Sequence, residues 1–299
     1  MSLSPRVVVV HRPTDMERVV AGSGTPGQAR FQAQSRGRSL SDVEQSHSTQ
    51  LTALQQVAAA IPSDWRRGEV ERSDLDRFVF GPEDIVVVVG QDGLVANVAK
   101  YLDGQPVIGI NADPRRNPGV LVRYPPEAIA GLLSAAILPP EQRTVEARTM
   151  VEARTDDGQV LRALNEVYVG HASHQSARYA VRPPRLKAER QSSSGLLVST
   201  GTGATGWCAS VARMNKSTLR LPAPTDARLC WFVREAWPSP ATGTAQVEGE
   251  LTDDEVLNIV AETDLVVFGD GMERDALPLT WGQRVTVGIA TRHLNLITA

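Results

Sequence analysis

DIVVVVGQDG, residues 84–93, is a run of β-branched residues from Ile85 to Val89 that stops at Gly90 and continues into an acidic residue set between turn formers. An unbroken apolar run of this kind is the pattern of a strand covered on both faces, as in a parallel α/β sheet. The following residues, 94–102, have helical character, so the segment reads as strand, turn and helix. In open α/β sheets ligands collect at the carboxyl ends of strands, where a glycine lets phosphate approach the backbone and a helix N-terminus offers N–H groups. Asp92 stands at that rim. A plain strand-to-helix turn with a solvated Asp has the same local sequence, so other segments must discriminate.

Composition narrows the classes. A chain of 299 residues suits two domains, each with its own core. With 41% hydrophobic and 22% charged residues it sits near globular averages, which disfavours disorder and membrane residence. A formal charge of −3 argues against a broad nucleic-acid surface, so no nucleic-acid partner is expected. No apolar run approaches membrane-spanning length, and no membrane partner is expected. The VVVV of residues 7–10 runs into His11, Arg12 and Pro13, which makes it a strand rather than a secretory segment. Cys208 and Cys230 lack the CxxC spacing of a zinc or redox site and read as buried free thiols in a reducing, cytoplasmic setting. No metal-ligating side chains are singled out.

Outward from residues 84–93, the first third alternates strand and helix. The polar, Gly-rich residues 21–28 read as a mobile loop. Ser41 with Glu44 forms a capping-box pattern ahead of a helix whose apolar face is Val43, Leu51, Leu54, Val57 and Ala58. PVIGINADP, residues 106–114, is a second buried strand, ending in Asn111 and Asp113. Pro139 and Pro140 mark a boundary, since proline interrupts helices. Beyond it the pattern is β, with strands expected at 144–154, 159–170, 196–200, 218–221, 265–268 and 284–289. The expected fold is a Rossmann-like parallel α/β domain over residues 1–139 and an all-β sandwich over 140–299, leaving open a return of the last residues to the first domain.

Four β-region segments carry chemistry. In ALNEVYV, residues 163–169, Asn165 and Glu166 interrupt an apolar strand; the pair fits sugar hydroxyls, or a strand end with one solvated Glu. In SSGLLVSTGTGATGW, residues 193–207, a strand enters a loop bearing Thr200, Thr202 and Thr205, with Trp207 as a stacking plane. Hydroxyls and open N–H groups there suit a nucleotide, and a flexible Gly/Thr hairpin is the plainer alternative. FGDGMERDALPLTWGQRVTV, residues 268–287, reads as a terminal hairpin with Asp270 in a type I′ turn. The basic RYAVRPPRLKAER, residues 178–190, reads mostly as a solvated hairpin face, with a phosphate contact as its alternative.

Together and in this order these residues resemble the NAD kinases, most closely the mitochondrial-type branch. The family's Gly-Gly-Asp-Gly resembles Gly90, Gln91, Asp92 and Gly93; its GxN strand resembles Gly109 to Asn111 with Asp113 and Pro114 after it. Its Asn-Glu pair resembles Asn165 and Glu166, its Thr-rich loop resembles Ser199 to Trp207, and its closing hairpin resembles the segment after Phe268. Ser194 before Gly195, and the Thr-Gly-Thr-Gly form of the loop, point to that branch. The resemblance covers nearly the whole chain. It implies an α/β domain and a β-sandwich with NAD between them, phosphorylated on its adenosine-ribose 2′-hydroxyl by ATP with Mg2+ or another divalent cation, in a homodimer or homotetramer. Asp92 is then the catalytic residue that polarises the accepting hydroxyl, while Gly90, Gln91 and Gly93 border the phosphates and Asn111 and Asp113 close the second strand end. Asn165 and Glu166 hold the dinucleotide, and Ser199, Thr200, Thr202, Gly203, Ala204, Thr205 and Trp207 line its pocket.

Two positions depart from the pattern. Gln91 replaces the second glycine, and Leu94 stands where a threonine usually follows. A left-handed backbone at Gln91 would cost about 1–2 kcal/mol and its side chain would intrude on a phosphate; ordinary angles would instead let the amide point at the phosphate. The expectations are therefore an ATP-dependent NAD kinase or a catalytically weak NAD(P)-binding sensor on the same fold. A lipid or sphingoid kinase is disfavoured by Asn165, Glu166 and the 200–207 loop. Phosphoryl transfer asks mainly for positioning and charge stabilisation, for which one carboxylate suffices.

Overall fold

The computed structural model describes residues 4–298. The chain divides into two compact units, one of residues up to 146 plus those from 295, the other of residues 147–294. The division thus falls beyond Pro139 and Pro140.

In the first unit the elements run β1 (Arg6–His11), α1 (Asp15–Ser23), α2 (Pro26–Ser35), α3 (Ser41–Ala60), β2 (Arg66–Glu71), β3 (Asp84–Gly90), α4 (Asp92–Ala99), β4 (Pro106–Asn111) and α5 (Ile129–Ala136). The strands pair in parallel in the order β2-β1-β3-β4, and Asn295 and Leu296 add a further parallel pairing on Pro106 and Val107. Every residue of β3 and β4 is buried, as the β-branched run requires. On one face Ile85, Val87, Val89, Ile108 and Ile110 pack with Ala53 and Val57 of α3 and Ile129, Leu132 and Leu133 of α5. Because the pairing is parallel, β1, β3 and β4 all end at one edge of the sheet, where His11, Gly90 and Asn111 emerge.

Two local expectations change. Residues 21–28 form the joint between two helices: Gly24 ends α1 at φ 88°, Thr25 caps α2 by accepting from Gln28 N–H, and Pro26 opens that helix. The capping box forms at α1, where Thr14 accepts from Glu17 N–H and the Glu17 carboxylate accepts from Thr14 N–H. At α3 the capping position is Leu40 with no side-chain bond, and Glu44 is drawn instead to Arg30 at 2.7 Å.

The second unit contains most of β5 (Val145–Thr155), β6 (Val160–Ala163), β7 (Glu166–Gly170), β8 (Ala177–Arg182), β9 (Glu189–Ser193), β10 (Leu196–Ser199), α6 (Trp207–Met214), β11 (Arg228–Val233), β12 (Glu248–Thr252), β13 (Leu257–Ala261), β14 (Leu265–Gly269), β15 (Met272–Leu279) and most of β16 (Arg284–Ile297). An antiparallel sheet, β12-β11-β10-β7-β14-β15, faces a second built from β16-β13-β8-β9 with β5 and β6 alongside. Val167, Val198, Trp231 and Val267 of the first meet Val151, Leu161, Tyr179, Ile259 and Val285 of the second in one core. This is the expected sandwich. On the outer face of the six-stranded sheet, Cys208, Val211 and Ala212 of α6 cover Leu197, Cys230 and Phe232. Both thiols are free and buried, 3.4 Å apart.

The expected strand over 159–170 is two strands broken at residues 164–165, and residues 218–221 form no strand. The basic residues 178–190 lie on the β8–β9 hairpin, where Arg190 makes two hydrogen bonds to Glu262 and Arg185 pairs with Glu255, so these two charges are met by carboxylates.

Gly109 shows how the first unit shapes its strand end. The chain crosses β4 there: Tyr124 N–H donates to the Gly109 carbonyl, Asn111 N–H donates to that of Tyr124, and a Cβ at Gly109 would lie 2.1 Å from the Leu121 oxygen. At Gly93 a Cβ meets nothing within 4 Å. Gly109→Ala should therefore destabilise the protein by about 3 kcal/mol, the upper range for overpacking, while Gly93→Ala, in the first turn of α4, should be neutral or stabilising by up to about 1 kcal/mol. Urea unfolding of the two variants beside the parent checks both.

Candidate functional site

Gly90 ends β3 at φ 154°, a conformation suited to glycine. Gln91 then takes φ −122° and ψ 159°, ordinary extended backbone, so the strain that a left-handed conformation would impose is absent. Its side chain lines a polar cleft at the strand ends together with Arg12, Thr14, Gln50, Asp113 and Arg116. Among the described residues neither the Gln91 amide nor the Arg12 guanidinium has a hydrogen-bond or ion-pair partner. Burial, then the charge of Arg18, lowers the pKa of Arg12, and Asp15 opposes them. Neither Arg12 nor Arg116 was assigned to the site from sequence; the available signal was an arginine one residue beyond the end of a buried strand, at Arg12 after His11.

Asp92 is the first residue of α4. Its carboxylate accepts backbone N–H groups from Val120 on Oδ2 at 3.0 Å and from Leu121 and Val122 on Oδ1 at 2.7 and 3.0 Å. Asp92 thus fastens the segment that crosses Gly109. A carboxylate has about four acceptor directions, so one on Oδ2 is left for a ligand. Gly93 is exposed beside it. Asn111 is a loop organiser: its amide donates to the Asn117 carbonyl at 3.0 Å and accepts from Asp113 N–H at 3.2 Å. Asp113 is buried, its Oδ1 has no hydrogen-bond partner among the described residues, and Arg115 and Arg116 approach it at 3.5 and 3.6 Å.

In the second unit the break between β6 and β7 is held from two sides. Asp270, at φ 53° and followed by Gly271 at φ 64°, forms the expected I′-type turn between β14 and β15. Its carboxylate also accepts N–H groups of Leu164, Asn165 and Glu166 at 2.8, 2.7 and 3.3 Å, a function beyond the turn that sequence alone did not show. From the other side the Ser199 hydroxyl donates to the Asn165 carbonyl at 3.2 Å and that of Thr200 to the Leu164 carbonyl at 2.5 Å. Ser199 and Thr200 are fully buried, so the hydroxyls expected to meet a nucleotide are engaged inside the fold. Thr200 Oγ1 also accepts from Thr202 and Gly203 N–H, turning the loop back.

Buried Thr202 accepts from Arg148, and Gly203 is required because a Cβ would sit 2.3 Å from the Asn165 oxygen. Ala204 is buried, whereas Thr205 is exposed. Trp207 opens α6, stacks on Tyr168 with ring centres 5.7 Å apart, and lies 5.2 Å from the Arg234 guanidinium. Asn165 and Glu166 are half-buried, and among the described residues their side chains have no hydrogen-bond partner. Burial, and next the charge of Asp270, push the Glu166 carboxyl up to about 8, so it is mostly protonated at neutral pH and able to donate as well as accept. No group of three or more His, Cys, Asp or Glu side chains among the described residues could hold a metal ion. The described residues therefore form no dedicated site for the divalent cation that the resemblance implies.

No family profile matches the chain. In sequence it is 29% identical over 188 residues to the mitochondrial NAD kinase 2 of Rattus norvegicus, covering 48% of this chain and 44% of that protein. It is 30% identical over 131 residues to an NAD kinase of Methanospirillum hungatei, covering 43% and 46%. The chain thus spans about half the length of the curated relatives it matches. Among solved structures, an NAD kinase from Archaeoglobus fulgidus in complex with ATP superposes with TM-score 0.58 at 16% identity over 98% of this chain and 93% of the other. Yeast NADH kinase complexed with NADH gives 0.65 at 12% identity over 100% and 84%. The chain is thus similar in sequence to NAD kinases over about half its length and has the fold of the NAD and NADH kinase structures.

Proposed function

We propose that the chain is an NAD kinase, transferring the terminal phosphoryl group of ATP to the adenosine-ribose 2′-hydroxyl of NAD. The observation that carries this is the unstrained backbone of Gln91, which keeps Asp92 at the start of α4 and leaves an unpartnered amide and an unpartnered Arg12 in the cleft beside it. Three backbone bonds hold the Asp92 carboxylate still, and the remaining lone pair of Oδ2 accepts the hydroxyl's hydrogen, orients its oxygen and takes the proton late in transfer. Arg12, Gln91 and the N-terminus of α4 supply positive potential and donors for phosphate oxygens. Asn165 and Glu166 are assigned to the nucleoside; a protonated Glu166 donates to it without adding a negative charge near a diphosphate. By resemblance alone the proposal extends to a homodimer or homotetramer working with a divalent cation, and from the two free thiols to a reducing, cytoplasmic setting.

NADP formation from NAD, ATP and magnesium, read through an NADP-specific dehydrogenase, tests the proposal directly. Asp92→Asn should lower turnover by about 100-fold or more, with NAD affinity by calorimetry nearly unchanged. A variant as active as the parent would remove Asp92 from the chemistry.

The raised Glu166 carboxyl has a second consequence. Its contribution to stability is complete below its ordinary value of 4.5 and is lost as pH rises through about 8, where the buried group must ionise beside Asp270. NAD affinity should decline over the same upper range. Glu166→Gln should flatten both profiles, as seen by thermal unfolding and calorimetry from pH 5 to 9; unfolding midpoints of parent and variant that run parallel would contradict it.

A further inference from the structure

We infer that Asp270 is a positioning residue: from the tip of the β14–β15 hairpin its carboxylate sets the backbone from which Asn165 and Glu166 present their side chains. The geometry is specific. Asp270 and Gly271 both adopt positive φ, which turns the hairpin tip back on the junction between β6 and β7. Three successive N–H groups, of Leu164, Asn165 and Glu166, converge on the one carboxylate, and Asp270 N–H returns a bond to the Glu166 carbonyl at 3.1 Å. Successive N–H groups in a turn form a concavity suited to an anion. The carbonyls of Leu164 and Asn165 are taken by Thr200 and Ser199. The backbone of the junction is thus satisfied by side chains and the 199–200 backbone, while the Asn165 amide and the Glu166 carboxyl keep no partner of their own.

The turn by itself does not require a carboxylate. Asn-Gly and Gly-Gly serve a type I′ turn as well as Asp-Gly. What Asn and Gly lack is the ability to accept three N–H groups: an amide presents one acceptor oxygen, and its NH2 would oppose one of the donors. Asp270→Asn and Asp270→Gly therefore preserve the hairpin and remove the clamp.

The effect on ligand rests on the NAD kinase reading, whereas the clamp is a property of the fold alone, and the test separates the two. Hydrogen exchange on the full chain should show the amides of residues 164–166 protected in the parent and exchanging at least tenfold faster in Asp270→Asn, with β11 and β13 unchanged. In steady-state kinetics the same variant should raise KM for NAD at least tenfold while kcat and KM for ATP stay within threefold, a split that general loss of folded protein would not produce. If Asp270→Asn does not fold, Asp270→Gly carries the same expectations. Unprotected 164–166 amides in the parent, or a variant with parental exchange and KM, would overturn the inference. A parent that forms no NADP and binds no NAD would overturn the functional reading instead, and the exchange result would then decide the clamp.

Discussion

A segment that leaves a sheet must still satisfy its backbone N–H groups, and an unmet buried one costs about as much as a lost hydrogen bond. In each unit one aspartate meets that demand by collecting three successive N–H groups on a single carboxylate: Asp92 from residues 120–122, and Asp270 from residues 164–166. Bonds to a charged acceptor are stronger than neutral ones, so each aspartate is an efficient fastener for an irregular stretch. Asn165 and Glu166, assigned to ligand, stand on the second of these fastened stretches, and Asp92, assigned to the chemistry, is itself the fastener of the first.

The parallel sheet supplies the other constraint. With β3 and β4 buried at every position, no polar side chain can stand along their faces without a partner, and polarity is displaced to the strand ends. Gly90, Gln91, Asn111 and Asp113 are there for that reason. Extended angles let Gln91 occupy its position without strain, and the clash at Gly109 explains why a glycine stands two residues before Asn111: another stretch of backbone lies directly against it.

Legibility varied with the range of the interaction. The β3 run, the buried β4 and the alternating strands of the sandwich were readable because their period reports how many faces are covered. At residues 21–28 the polar, Gly-rich composition suggests a loop, but the positions of Gly24, Thr25 and Pro26 are ordinary helix stop and start signals, and a joint between two helices forms there. Of two Ser/Thr-x-x-Glu patterns, the one at Thr14 forms a capping box on α1, whereas at α3 Ser41 lies inside the helix and Glu44 is taken by Arg30, a partner on another helix. Ser199 and Thr200 look like ligand hydroxyls in sequence, yet both are buried donors to the 164–165 carbonyls.

The class of fold, the strand that ends at Gly90 and the motifs that resemble one family are legible in the order of residues, because hydrophobic period and short motifs are local. Which of those polar residues are free follows from packing between distant segments. Asp92 and Asp270 are acceptors for backbone groups far away in the chain, Glu166 is held protonated by burial and a neighbouring carboxylate, and Gln91 keeps ordinary angles. Each outcome depends on groups brought together across long sequence separations, and no local pattern encodes whether a hydroxyl or carboxylate meets a ligand or another stretch of its own chain.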